Sequence, residues 1–556
     1  LCRRESSPPA PRLVHKGESC SIIEGRRREF MKKLFGGLIV GLCVLSSASA
    51  DTHTDKTFLM PRDHMANLAL ENTTYHKQVN KIDDSKFGAA LQASLFYQAS
   101  TNDEDLGKYF GITNRNASNR IDDYLFVAPS ATERHLNNHD LFLDGANNYP
   151  VATTRLADKI VFRPHSESYG VRLDWHQKLD KLIEGLYFKV NMPIVCVKTS
   201  LGYSSTGGAV SQPLLTDRAS TDLYGATTYS VIDYLTGNVA NTITEATQVA
   251  LSHYKIHNGQ SETGIADINF VLGYNFLYKE EKHIGLNMIL TIPTGNTADG
   301  IYRFEPIVGN GGHWAIGLGA DAAFEIWKDT DKSLDISMAI NYRYLFEDTE
   351  KRTVDFKWAN TTDFGTDANQ TAMWGPYMLG GRRGDTFATP LANFLTQDLE
   401  VTPGSQLDAM VMLTFNCKNW TFDLGYELFW KEEESVDLKS TWSENYYGTA
   451  DRSWDTTKAF ITGTTADYET IYRGASANAY TAAYDLNAVT IDQAHLLVNH
   501  AATPSQLTHK LFGGIGYAFN KWEYPLLIGT GGSYEFASDN SALENWSVWF
   551  KVGIRV

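Results

Sequence analysis

The sequence predicts an all-β fold, a transmembrane antiparallel up-and-down β-barrel of 12 strands, with 14 as the alternative. Three observations predict it. Large apolar and polar residues alternate in twelve runs spread along the 556-residue chain, the runs are about 11–16 residues long, and the connections between them are alternately short and long. A side-chain period of two marks strands with one apolar and one polar face. Soluble strands usually run ~5–6 residues, whereas a tilted strand needs ~9–11 to cross a bilayer and often extends beyond it.

The head of the chain lies outside this pattern. Residues 1–30, with Pro8, Pro9, Pro11 and Arg26-Arg27-Arg28, read as a non-native or overrun leader. Met31-Lys32-Lys33, the apolar run from Leu34 to Leu45 and Ser46-Ser47-Ala48-Ser49-Ala50 have the layout of a secretory signal peptide over 31–50, cut after Ala50. The apolar run is too short to span a bilayer as a helix. Without residues 1–50 the chain carries 40 basic and 61 acidic side chains, a net −21, and only Cys196 and Cys417. Two cysteines make no disulfide framework, and the acidic balance excludes a nucleic-acid partner. Residues 51–86 form a periplasmic N-terminal segment or a partial plug, and 87–556 the barrel.

The strands follow in order: 87–100, 167–180, 186–198, 263–278, 283–293, 313–327, 333–347, 404–416, 419–432, 508–519, 524–537 and 545–556. Alternation is clearest in Trp420, Phe422, Leu424, Tyr426, Leu428 and Trp430, set against Thr421, Asp423, Gly425 and Glu427. The same pattern runs through Ile284 to Ile292 and Leu334 to Phe346. Short connections (181–185, 279–282, 328–332, 417–418, 520–523) alternate with longer ones (101–166, 199–262, 294–312, 348–403, 433–507, 538–544). Short turns on one side and long loops on the other characterise outer-membrane barrels. An even strand count puts both ends of the barrel on the short-turn, periplasmic side. Fourteen strands result if 119–128 and 158–164 form an additional hairpin. Trp327, Tyr344, Trp420, Trp430, Tyr524, Trp546 and Trp549 fall near strand ends, where amphipathic rings form interfacial girdles.

The final segment, with Trp546, Val548, Phe550, Val552, Ile554 and Val556 alternating with Ser547, Trp549, Lys551, Gly553 and Arg555, resembles the C-terminal strand of bacterial outer-membrane proteins. That resemblance implies the outer membrane as location, its lipids as surroundings, and the barrel-insertion machinery as a partner for Trp546 to Val556. The family usually ends in an aromatic residue, and Val556 departs from this. Ile268-Asn269-Phe270, Tyr274-Asn275-Phe276 and Leu290-Thr291-Ile292-Pro293-Thr294-Gly295 resemble hairpins of porin-like and FadL-like transport barrels.

A barrel in lipid turns its polar face inward. Its candidate lumen residues are Asp321, Glu325, Asp335, Arg343, Asp408, Asp423 and Glu427. Arg382 and Arg383, in the Gly- and Arg-rich part of the 348–403 loop, read first as an exposed surface turn; the alternative is a loop folded into the lumen, where they would face acids such as Asp408 and Glu427 across a constriction. Eight strands are filled by side chains and 16–18 leave a channel, so 12 suggest a narrow or loop-gated pore. The function expected is passive diffusion of small hydrophilic solutes. The alternatives are a FadL-like channel for hydrophobic molecules and a structural or adhesive surface barrel. No enzyme and no cofactor are expected: the sequence has no G-x-S-x-G elbow, no H-E-x-x-H motif and no Cys/His cluster. At Asn102-Asp103-Glu104-Asp105 the calcium-loop pattern fails, because Lys108 and Asn114 stand where Gly and Glu are required.

Overall fold

The computed structural model describes residues 56–75, 88–110, 112–114, 120–122, 124–127, 158–205, 230–239, 241–242, 247–279, 281–356, 375–382, 387–444, 446–449, 491–538 and 542–556. The leader and the signal-peptide segment lie outside these residues, as do the Ala50–Asp51 cut site and Arg383.

Twelve antiparallel strands close into a barrel. They are β1 (Ala89–Ser100), β2 (His165–Lys178), β3 (Leu186–Ser200), β4 (Gln260–Ile265 and Ile268–Lys279), β5 (Lys282–Ile292), β6 (Ala315–Asp329), β7 (Lys332–Leu345), β8 (Gly404–Cys417), β9 (Trp420–Lys431), β10 (Gln506–Phe519), β11 (Leu526–Ala537) and β12 (Asn545–Arg555). Each pairs with its neighbours in sequence, and β1 pairs with β12 from Ala90↔Arg555 to Ser100↔Asn545, which closes the ring. Closure leaves no free edge, the condition for a sheet to cross lipid. Strand β4 breaks at Ala266-Asp267, where Asp267 has φ 60°, but both its parts pair with β3.

The alternation has the predicted sense. Leu424 is 68% exposed and Leu318 62% on the outer face, while their neighbours Asp423 and Gly319 turn inward and are buried. Such an apolar belt suits hydrocarbon and not water. Trp327, Tyr344, Trp420, Tyr524 and Trp546 are exposed on the outside, as girdle residues should be. Trp549 is a correction: its parity puts it inside, 3% exposed, packed with Leu68, Met410, Met412 and Phe512. Cys196 and Cys417 are both free thiols.

The fourteen-strand alternative fails for a local reason. Tyr124–Val127 does pair with Asp158–Val161, but this hairpin joins Ser204–Ser205 in a small sheet of its own and not the barrel wall. It belongs to a cap built from the long loops. Within the cap, Asp348–Thr353, Thr396–Thr402 and Ser435–Leu438 form a three-stranded sheet. Apolar side chains such as Leu125, Phe162, Tyr234, Tyr254, Phe356, Tyr377 and Leu395 bury one another. Tyr234 donates to the Tyr377 carbonyl at 2.5 Å, and Tyr377 to that of Tyr254 at 2.7 Å. These pairings leave the phenols of Tyr234 and Tyr377 bonded within a dry core.

Candidate functional site: a plugged lumen

Residues 56–75 run through the barrel from cap to short-turn side. At the cap end the Thr57 amide donates to the His500 carbonyl at 2.8 Å, and Lys56 meets Glu433 at 3.1 Å. At the other end Tyr75 packs with Ala90, Ala518 and Leu527. Between them Leu68–Asn72 makes one short helical turn, α1. Asn67 caps it by accepting from the Leu70 amide at 3.0 Å. The sequence places Leu68, Ala69 and Leu70 there, and they bury against Met410, Met412, Phe512 and Trp549 of the wall.

Ion pairs hold this segment. Arg62 donates to Glu427, to Glu535 at 2.7 Å and to Asp408 at 3.4 Å. Burial alone would lower the pKa of Arg62, but the three carboxylates more than reverse this and raise it above its ordinary value. Asp63 accepts from Arg343 at 2.8 Å and from the Met65 and Ala66 amides. Burial would raise its carboxyl, yet Arg343 and those amides hold it below the usual range. Its neighbour His64 has the opposite fate: burial pushes its imidazole down to about 4.

Farther down, Glu71 accepts from Arg172 at 2.7 Å and lies 3.8 Å from Lys189. The Ala69 amide donates to Glu427 and the Thr74 amide to Asp423. Lys551 donates to the carbonyls of Glu71 and Thr73. Main-chain groups of a segment that forms no sheet thus find partners on the wall.

The sequence-predicted residues therefore divide. Arg343, Asp408, Asp423 and Glu427 meet at the segment. Asp321 instead pairs with His283 at 2.6 Å, Asp335 accepts from Asn416 at 2.6 Å, and Glu325 lies 3.4 Å from Lys328 near a short turn. The expected partner of Asp408 and Glu427 is corrected. Arg62 takes both carboxylates, whereas the Arg382 guanidinium lies 5.1 Å over the Phe394 ring in the cap. Gly380–Arg382 pair with Tyr447–Thr449 in a cap sheet. Sequence reasoning missed Arg62, Asp63, Glu71 and the helical turn. The available signal was a capped apolar turn (Asn67 to Glu71) beside an Arg-Asp pair, in a segment too short to fold alone.

No protein-family model and no curated protein matches the chain. Solved structures do resemble it. An outer-membrane channel from Pseudomonas putida F1 is similar at 10% identity and TM-score 0.34, over 85% of this chain and 99% of that one. The CymD monoaromatic hydrocarbon channel is similar at 9% identity and TM-score 0.27, over 88% and 92%. A Pseudomonas aeruginosa FadL homologue is similar at 10% identity and TM-score 0.27, over 91% and 98%. The closed ring of twelve strands and its apolar outer belt give this chain the fold of a transmembrane β-barrel.

The segment does not fill the lumen evenly. Between it and strands β2–β7, toward the short turns, lies a cavity of about 90 Å³. Its wall carries Asn191, Asn269, Asn275, Asn287 and Asn341, and its inner side is Leu68, Glu71, Asn72 and Tyr75 of the segment.

Proposed function

We propose that the chain is a plugged, substrate-selective channel of the bacterial outer membrane, with residues 56–75 as its hatch, and not an open diffusion pore. One observation carries this reading: the segment is bonded to the wall on strands β1, β2, β7, β8, β9, β11 and β12, so passage requires it to shift.

Hydrophobic molecules, as for a FadL-like channel, are the leading substrate class. The upper end of the hatch is continuous with apolar surroundings. Leu59 belongs to the core of the cap, and Phe58 and Met60 pack with Ala298 and Ile307. The asparagine-lined cavity favours a second reading, a selective path for small polar solutes. On either reading the leader is removed after Ala50, the long loops face the cell exterior, and Trp546 to Val556 engages the insertion machinery.

The test is conductance in planar bilayers together with uptake by cells. Wild-type channels should be closed or nearly so, and deletion of residues 56–75 should open them. Cells producing the intact protein should gain uptake of a long-chain fatty acid or a small aromatic, but not of a disaccharide. A wild-type pore already passing ions steadily would sink the plugged reading. Gain of disaccharide uptake alone would reverse the order of the two substrate classes.

A further inference from the structure

We propose that the lumen cavity beside the hatch is a binding site for a small, uncharged, hydroxyl-rich molecule of about monosaccharide size. The proposal is independent of which class of substrate crosses the barrel.

Size comes first. The cavity measures about 90 Å³, enough for several waters or for one small molecule in their place. Glycines let the asparagine amides lie flat against the wall beside this space. At Gly319 a Cβ would stand 2.4 Å from both Asn287 Oδ1 and Asn341 Oδ1, and at Gly285 2.5 Å from Asn275 Oδ1. The amides thus lie across bare backbone of the neighbouring strands.

Charge comes second. The charged groups around the cavity already have close partners: Asp321 lies 2.6 Å from His283, Asp174 and Glu71 2.7 Å each from Arg172, Lys189 3.8 Å from Glu71, and Asp180 3.9 Å from Lys178. A charged ligand would have to compete with these pairs, and a neutral one leaves them intact.

Hydrogen bonding comes third. Each asparagine offers two donors and an acceptor with two lone pairs, which matches hydroxyls that both donate and accept. Asn275 Oδ1 and Asn287 Oδ1 have no partner in the fold. The terminal amide torsion is soft, so a small rotation presents these oxygens to a ligand. A hydrocarbon in the same space would leave the amides dry and unpaired, which is unfavourable. Leu68 and Tyr75 on the hatch side supply an apolar surface for the C–H face of a ring.

The experiment uses the full chain purified in detergent micelles, with ligand binding read by saturation-transfer NMR and calorimetry. The probes are glucose, inositol, toluene and glutamate. Glucose or inositol should bind saturably, while toluene and glutamate should not compete. Asn275→Leu combined with Asn287→Leu should weaken binding at least tenfold, and so should Gly319→Val, whose side chain displaces the Asn287 and Asn341 amides. Heat-modifiable gel mobility identifies any variant that fails to fold, and Asn341→Leu then replaces it. Absence of saturable binding by both neutral probes to the wild type would overturn the site. So would competition by toluene or glutamate, or unchanged affinity in the folded variants. Because no flux is measured, these outcomes are separate from those that test the channel.

Discussion

The two sides of the lumen wall differ more than any other parts of the barrel. One side, β7–β12 with β1 and β2, reaches the hatch with Arg343, Asp408, Glu427, Glu535, Lys551 and Arg172. The other, β3–β6, presents Gly273, Gly285, Gly317 and Gly319 with asparagines between them, and its nearest ionic approach to the hatch is Lys189 to Glu71 at 3.8 Å. Both sides face inward from strands of the same alternation, and both pair perfectly well within the sheet. Alternation therefore decides which residues face the lumen, and residue type decides what the lumen does there. One side grips and the other leaves space.

The largest effect should come from removing the centre of the grip. Arg62→Ala strips Asp408 of its ion pair and leaves Glu427 and Glu535 with Lys510 alone, and breaking a buried pair in this way costs about 3–5 kcal/mol. Much of that cost is relieved if the hatch moves and water enters. Conductance should therefore rise, and amide exchange in Leu68–Asn72 should quicken, while the barrel still folds. If exchange and conductance both stay at wild-type values, the contrast between the two sides carries no mechanical meaning.

How much of this was legible in the sequence follows from range and period. All 12 strands were readable because lipid demands an uninterrupted apolar face, and Leu424 or Leu318 cannot be polar without cost. The hatch contacts were not readable. Arg62 and Glu427 are 365 positions apart, and no local pattern says that they meet. The cap was hidden for a different reason. Its buried residues, such as Tyr234, Phe356 and Tyr377, are scattered among Thr, Asn and Asp with neither a period of two nor of 3.6, so the loops read as solvated surface. Of the paired arginines only Arg382 lies among the described residues, and it follows the surface reading and not the lumen one. Arg382 lies in a cap strand over Phe394, and the cation that meets Asp408 comes from a segment upstream of the barrel.

A second, smaller effect separates the outer face from the gripping face. Leu424→Arg places a charge on the lipid side, where the cost is about 2–4 kcal/mol near the midplane. Folding into vesicles, followed by heat-modifiable mobility, should be impaired by that amount, and conductance of the folded fraction should be normal. The neighbouring Asp423 accepts from the Thr74 amide and from Thr414, so its role is in the grip and not in insertion. Equal folding defects in Leu424→Arg and Asp423→Asn would mean that the two faces had not been distinguished.

The smallest effect is one of pH, and it works on the gripping side alone. Asp63 is held below its ordinary value, so its pairing with Arg343 stabilises the hatch fully above the free carboxyl's pKa near 3.8. That contribution is lost as pH falls through the lower value of the seated hatch. His64 adds an earlier window. Its imidazole stays neutral in place until about pH 4 but takes a proton near 6.5 when free. A released hatch therefore binds the extra proton between pH 6.5 and 4, and the seated state loses stability across that range. Acidification should thus loosen the hatch in two steps, the first from His64 and the second from Asp63. Amide exchange in Leu68–Asn72 measured from pH 7 to 3, corrected for the intrinsic rate, reads both. His64→Phe should abolish the first step and keep the second, whereas Asp63→Asn should weaken the hatch at pH 7 and flatten the second. A hatch that loosens instead on going from pH 7 to 9 would contradict both signs and place its control on a group other than these two.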